Sequence, residues 1–168
     1  MKKLQVNQTL LNAVIDGTHI GLEMTGATPT PVGANRFFNA THKYSVIIGF
    51  SGESSGTLTL NLGERALLLL TGRLLETEFK EANEEVFDAI MELGNMVGGS
   101  IKEKLLDTEF GQSALSLPSL VLGASYNLYY SRGINTVTVT FELEDIPVMY
   151  YEDRFFSVTV SLLRASAS

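Results

Sequence analysis

The feature that most constrains this chain is the stretch from Glu84 to Leu106, which reads as one long amphipathic helix. At about 100° per residue, Val86, Ile90, Leu93, Val97 and Ile101 gather on one side. Such a stripe has to be buried against another apolar surface. The chain offers one in strands. Tyr44 to Phe50 reads as a strand, and Thr57 to Leu62 alternates Thr57, Thr59 and Asn61 against Leu58, Leu60 and Leu62. Ser51 to Gly56 is the turn between them, so the pair predicts a hairpin. Ile134 to Leu143 alternates strictly, with Val137, Val139, Phe141 and Leu143 on one side. Phe156 to Leu162 does the same with Phe156, Val158, Val160 and Leu162.

Two further helices complete the pattern. Asn7 to Met24 carries apolar residues at helical spacing and is ended by Gly26, Pro29 and Pro31. A loop rich in Gly, Pro, Thr and Asn is expected from there to about Asn39. Glu64 to Leu75 reads as a largely buried helix, Glu76 to Asn83 as a polar connector, and Ala165 to Ser168 as a fraying end. The order predicts an α+β fold, an antiparallel or mixed sheet with helices packed on one face. At 168 residues the expectation is a single domain over 1–168. Asn12 to His19 also aligns with Asp88 to Asn95, a hint of an internal repeat.

Composition removes several function classes. Cysteine is absent, which excludes thiolate metal sites and cysteine nucleophiles and fits a reducing compartment. The segment that would hold a signal core carries Asp16, His19 and Glu23, too polar for that role. The longest aliphatic block, Ala66 to Leu70, is far short of a membrane span. A cytoplasmic location is expected. A net charge of −7 without a basic cluster argues against nucleic-acid and membrane-surface partners. His19 and His42 are the two histidines and neither lies in a ligand-spaced motif, so no metal site is expected. Ser51 to Ser55 lacks a nucleophile-elbow pattern, and no glycine-rich phosphate loop is present.

The near side of the long helix carries Glu81, Glu84, Asp88, Glu92, Asn95, Gly99 and Lys102. A polar stripe is ordinarily just the solvated face of a helix. Three details argue for more. Asn is a poor helix former, with little reason to sit mid-helix unless its amide is used. Gly94, Gly98 and Gly99 lie inside the helical pattern, each costing about 1 kcal/mol against alanine, and Gly99 would let a partner group come close. Glu84, Asp88 and Glu92 repel at successive four-residue steps, and a basic partner group would relieve that.

Asp88-x3-Glu92-x2-Asn95-x22-Pro118 resembles the signature of the CheC/CheX/FliY phosphatases, at all four positions. The phrase from Asp88 to Ser100 is similar to that family's active helix. The corresponding point of the first half is Asp16-x2-His19, which lacks the Asn. One intact copy makes the chain resemble CheX rather than CheC, and the repeat would then be a decayed duplication. The resemblance implies a phosphatase that stimulates dephosphorylation of a phosphorylated CheY-like response regulator. It implies that Asn95 orients the attacking water and Glu92 anchors on the regulator's lysine. Asp88 would be supporting and Pro118 structural. No cofactor of its own is implied, because Mg²⁺ is bound by the partner regulator. The alternative is a non-catalytic regulator-binding module of the flagellar switch type.

The resemblance also implies a homodimer. A physical route suggests itself in the strands Ile134 to Leu143 and Phe156 to Leu162, long and free of proline. Left at an edge, they would present unpaired backbone groups to a second copy. Their Thr-rich faces would tolerate water. The alternative is that both strands are central and fully paired within one chain.

Overall fold

The structure is a computed structural model that describes residues 5–165. The end expected to fray lies, beyond Ala165, outside the described residues. The elements run α1 (Gln8–Gly21), a 3-10 turn at Glu23–Thr25, β1 (Thr30–Asn35), β2 (Tyr44–Gly52), β3 (Ser54–Leu62), α2 (Glu64–Leu75), α3 (Glu84–Leu105), β4 (Gln112–Leu115), β5 (Ser119–Leu122), β6 (Asn135–Glu142), a 3-10 segment at Val148–Arg154, and β7 (Phe155–Arg164). The expected α+β class is what forms. Every strand pairing is antiparallel.

The sheet order is β1-β6-β7-β3-β2-β4, with β5 also on β2. Read from either end it has the same logic. Each half supplies a central strand (β3 or β7), its neighbour (β2 or β6), and an outer segment that pairs with the other half (β1 on β6, β4 and β5 on β2). The repeat hinted at between Asn12–His19 and Asp88–Asn95 is therefore a pseudo-twofold duplication in the topology. Each half begins with a helix, α1 or α3, and these two helices pack against one another. A Cβ at Gly17 would lie 2.4 Å from Ile101 Cγ1, and one at Gly21 would lie 2.5 Å from the Val97 Cα. Only bare α-carbons permit that approach.

The helices bury one face of the sheet. Tyr44, Val46, Ile48 and Phe50 of β2, Leu58, Leu60 and Leu62 of β3, Val137, Val139 and Phe141 of β6, and Phe156, Val158, Val160 and Leu162 of β7 form the floor of the core. Leu10 and Val14 of α1, Leu67 and Leu70 of α2, and the predicted α3 stripe close over it. All five stripe residues, Val86 through Ile101, are fully buried. Between β6 and β7, Arg154 Nη2 reaches Glu142 Oε1 at 2.9 Å with its side chain largely buried.

Four expectations need correction. The stretch read as a loop to Asn39 contains β1, whose pairing with β6 compensates for poor strand propensity at Pro31 and Gly33. The first helix stops at Gly21, because the chain turns through a 3-10 turn into left-handed Gly26 at φ +67°. The hairpin turn is tighter than expected: β2 runs to Gly52 and β3 starts at Ser54, with Gly52 at φ +149°. Finally, β6 and β7 are interior strands. β6 is flanked by β1 and β7, and β7 by β6 and β3, so neither offers an edge to a second copy. Their Thr-rich face is not open to water either, since Thr138, Thr159 and Ser161 are buried. Their hydroxyls pair across the strands, Thr136 with Ser161 at 2.9 Å and Thr138 with Thr159 at 2.7 Å. The segment after β5 reaches over this face, with Tyr130 OH at 3.2 Å from Thr57 Oγ1.

Candidate functional site

The site is built on α3, and the sequence explains why α3 is straightforward to form. Asn83 caps it, its side chain accepting from Val86 N at 3.0 Å. Glu84 and Glu85 occupy the first turn, and Lys102 and Lys104 the last, both matched to the helix dipole. Of its three interior glycines, Gly94 is the one that packing on the sheet requires, while Gly98 has room for a Cβ in ordinary contact. A Cβ at Gly94 would lie 2.7 Å from Val46 Cγ1, and one at Gly98 would contact Ile48 and Leu115 at 3.6 Å. Gly99 differs. A Cβ there would meet nothing within 4 Å, so packing within this chain gives no reason for its glycine.

On the opposite face from the buried stripe, Asp88 and Glu92 are exposed and Asn95 is half-buried. Successive members are one turn apart, about 6 Å and then about 4.5 Å along the axis. Neither Glu92 nor Asn95 has a side-chain hydrogen bond or ion pair among the described residues. Both line one surface depression of about 420 Å³, shared with Met96, Leu115, Ser116 and Leu117. Asp88 lies one turn before it and Gly99 one turn after, on the same face.

The far wall of the depression comes from a bulge. β4 pairs Leu115 with Phe50, and β5 pairs Ser119 with Ile47. Residues 116–118 therefore stand opposite only Ile48 and Gly49, one residue too many, and are pushed outward. Pro118 suits the place because it has no N–H to leave unpaired. Ser116 pins the bulge. Its N donates to Gly49 O at 2.9 Å, its Oγ accepts from Gly49 N at 2.7 Å, and that Oγ donates to Leu117 O at 2.9 Å. Of the residues singled out in the sequence, the fold thus brings Glu92 and Asn95 into one depression, and Pro118 ends the bulge beside it. Met96, Leu115, Ser116 and Leu117 were not anticipated. The one signal for them was Pro118 interrupting a strand-like stretch.

The half-site of the first repeat is built differently. Asp16 and His19 are exposed on α1, but the His19 Nε2 lies 2.7 Å from Pro29 O and its ring meets Phe141 edge-on at 6.0 Å. His42 is half-buried beside the 3-10 segment. Burial pushes its imidazole below the ordinary value, against the opposing charges of Asp153 and Glu152. No group of three or more His, Asp or Glu among the described residues is arranged to hold a metal ion. No helix among them is long and apolar enough to cross a membrane.

This architecture is shared with solved chemotaxis proteins. A CheC-like superfamily protein from Shewanella sp. PV-4 superposes with a TM-score of 0.76 at 20% identity, over 94% of this chain and 99% of that one. The chemotaxis protein CheX from Desulfovibrio desulfuricans gives 0.73 at 17% identity, over 93% and 99%. A chain of the CheX–CheY–BeF3–Mg²⁺ complex from Borrelia burgdorferi gives 0.69 at 17% identity, over 96% and 100%. At such identities the likeness is one of fold. No curated protein matches the chain. The family model of the chemotaxis phosphatase CheX, however, matches residues 44–142, more than half of the chain and all of α3 with the bulge beside it. The chain belongs to the CheX family.

Proposed function

We propose that this chain stimulates hydrolysis of the aspartyl phosphate on a CheY-type response regulator, with Asn95 and Glu92 as its working side chains. The single observation that carries the residue assignment is their pairing. A free amide and a free carboxylate, one turn apart on a packed helix, line one depression with no other use for them in the fold. Membership of the CheX family supports the reaction class. The Borrelia relative, in complex with CheY, BeF3 and Mg²⁺, supports the kind of partner.

In hydrolysis of an acyl phosphate, water attacks phosphorus in line with the leaving carboxylate oxygen. The P–O bond to the aspartate breaks, and inorganic phosphate and a free carboxylate result. The regulator's own Mg²⁺ and lysine neutralise the phosphoryl group, so a helper protein need only position the water. Asn95 suits this role because an amide both accepts from and donates to water and adds no charge beside phosphate. Glu92 anchors the pair by a charge-assisted contact with the regulator's lysine. Asp88 adds negative potential one turn away, and Gly99 leaves room for partner backbone. No covalent intermediate forms on this chain, and the metal belongs to the regulator.

A homodimer is part of the proposal and rests on the family membership. With β6 and β7 interior, the sheet edges at which a second copy could pair are β1 and β4/β5. Sedimentation equilibrium at micromolar concentration tests this, and a mass of 18.3 kDa without concentration dependence overturns it.

The function is tested by phosphate release from a panel of phosphorylated receiver domains with Mg²⁺, with and without this chain. Acceleration for at least one CheY-type receiver is expected. Tight binding without any acceleration would instead make the chain a binding module.

A further inference from the structure

The depression beside α3 has a polar wall and an apolar one, and the apolar one is not explained by positioning water. Leu117 is 88% exposed, a large aliphatic side chain held out into solvent beside Asn95 and Glu92. Exposed leucines on a surface are common and need no reason. This one is held by three hydrogen bonds centred on Ser116. They fix the backbone at Ser116 and at the Leu117 carbonyl, so the point from which the leucine projects is set before a partner arrives. An apolar group carried on a pinned backbone beside a polar site is a suitable interface anchor, because less backbone freedom is lost on association.

We infer that Leu117 is an apolar docking anchor for the receiver domain, seating against aliphatic surface next to its phosphorylated aspartate. The inference rests on the reading of Glu92 and Asn95 given above. The occupant follows from continuity with that site. Any partner group close enough to meet Asn95 and Glu92 also covers Leu117, which lines the same depression. The chemistry of the walls is complementary to a receiver in two ways. Exposed Asp88 and Glu92 face its lysine, while Leu117, with Met96 and Leu115 behind it, takes an aliphatic side chain. Excluding water there strengthens the Glu92 ion pair. Leu117 acts on binding and touches neither phosphorus nor the attacking water.

The test uses the full chain and a CheY receiver domain phosphorylated with phosphoramidate. Leu117→Ala removes the anchor at a site with no folding role, so its melting temperature should match the wild type. We expect KM for the phosphorylated receiver to rise roughly fivefold or more, with kcat within about twofold, as for a central interface residue. Leu117→Met should recover most of the affinity. Asn95→Ala, run alongside, separates the two levels. If Asn95→Ala is inactive but Leu117→Ala leaves KM unchanged, the anchor is wrong and the site reading stands. If Asn95→Ala keeps full activity, the site reading fails and the anchor falls with it. A Leu117→Ala protein whose KM is unchanged but whose self-association weakens would make the occupant a second copy and overturn the proposal.

Discussion

Gly21 and Val97 lie against one another, with the place of a Gly21 Cβ only 2.5 Å from the Val97 Cα. They are also equivalents. The offset that aligns Asn12 with Asp88 aligns Gly21 with Val97. The contact between α1 and α3 thus falls on the pseudo-twofold axis that relates the halves of the sheet. The helix carrying Asn95 is held from behind by its own counterpart, and the closeness of that contact sets how firmly the polar face is presented.

Gly21→Ala should therefore destabilise the protein, by about 1–3 kcal/mol as for overpacking. Alanine gains about 1 kcal/mol of helix propensity, but the atoms in the way are Val97 backbone, which cannot turn aside. Urea denaturation measures it, and an unchanged midpoint at unchanged slope would show that the helices separate freely.

Gly99→Ala should do the reverse. Nothing stands within 4 Å of a Cβ there, so the mid-helix penalty of up to about 1 kcal/mol is recovered. On the proposed reading, the same variant binds a phosphorylated receiver more weakly, because the methyl stands on the partner face. Higher stability with undiminished affinity would remove Gly99 from the interface.

The contrast between these glycines marks what the sequence could and could not show. In the sequence Gly99 stands apart by its place on the polar face, whereas Gly94 and Gly98 read only as breaks in a helical pattern. Gly94 serves packing against Val46 of β2, information that exists only once the sheet lies beneath it. The helix itself was legible because Val86, Ile90, Leu93, Val97 and Ile101 keep a helical period, and the face bearing Glu92 and Asn95 follows from the same period. β6 and β7 were legible as strands from their alternation, yet not as interior ones. The strand that covers β6 is β1, about a hundred residues earlier in the chain, and Pro31 and Gly33 disguise it as a loop. The apolar wall of the site was illegible for a related reason. Leu117 is pushed outward by register, the mismatch between two short pairings on β2, and register is not a local property.

His42 supplies a pH signature of folding. Burial lowers its pKa below the ordinary value of 6.5 despite Asp153 and Glu152. The folded state thus prefers the neutral ring, while the unfolded chain takes up a proton near pH 6.5. The contribution is fully present above that pH and is lost as pH falls from there through the lowered folded value. Unfolding free energy measured between pH 7.5 and 5 should decline, and His42→Gln should flatten part of that decline. Identical slopes for the two proteins would contradict the assignment.

For Glu92→Ala, affinity for a beryllofluoride-loaded receiver should fall roughly tenfold, the loss expected for one charge-assisted contact. Raising salt should weaken the wild type more than the variant, since the variant has lost the screened ion pair. Equal salt slopes in a titration would argue that Glu92 meets no cation.

The central claim is that the Asn95 amide positions the attacking water. Its most direct measurement is the rate of phosphate release from one phosphorylated CheY receiver, comparing wild type with Asn95→Ala at saturating concentration. Losing a positioned hydrogen-bonding group should cost on the order of 10²-fold or more in rate. The variant should still melt like the wild type and still bind the beryllofluoride-loaded receiver, because Asn95 makes no side-chain hydrogen bond among the described residues. A variant that binds and hydrolyses at the wild-type rate would contradict the account.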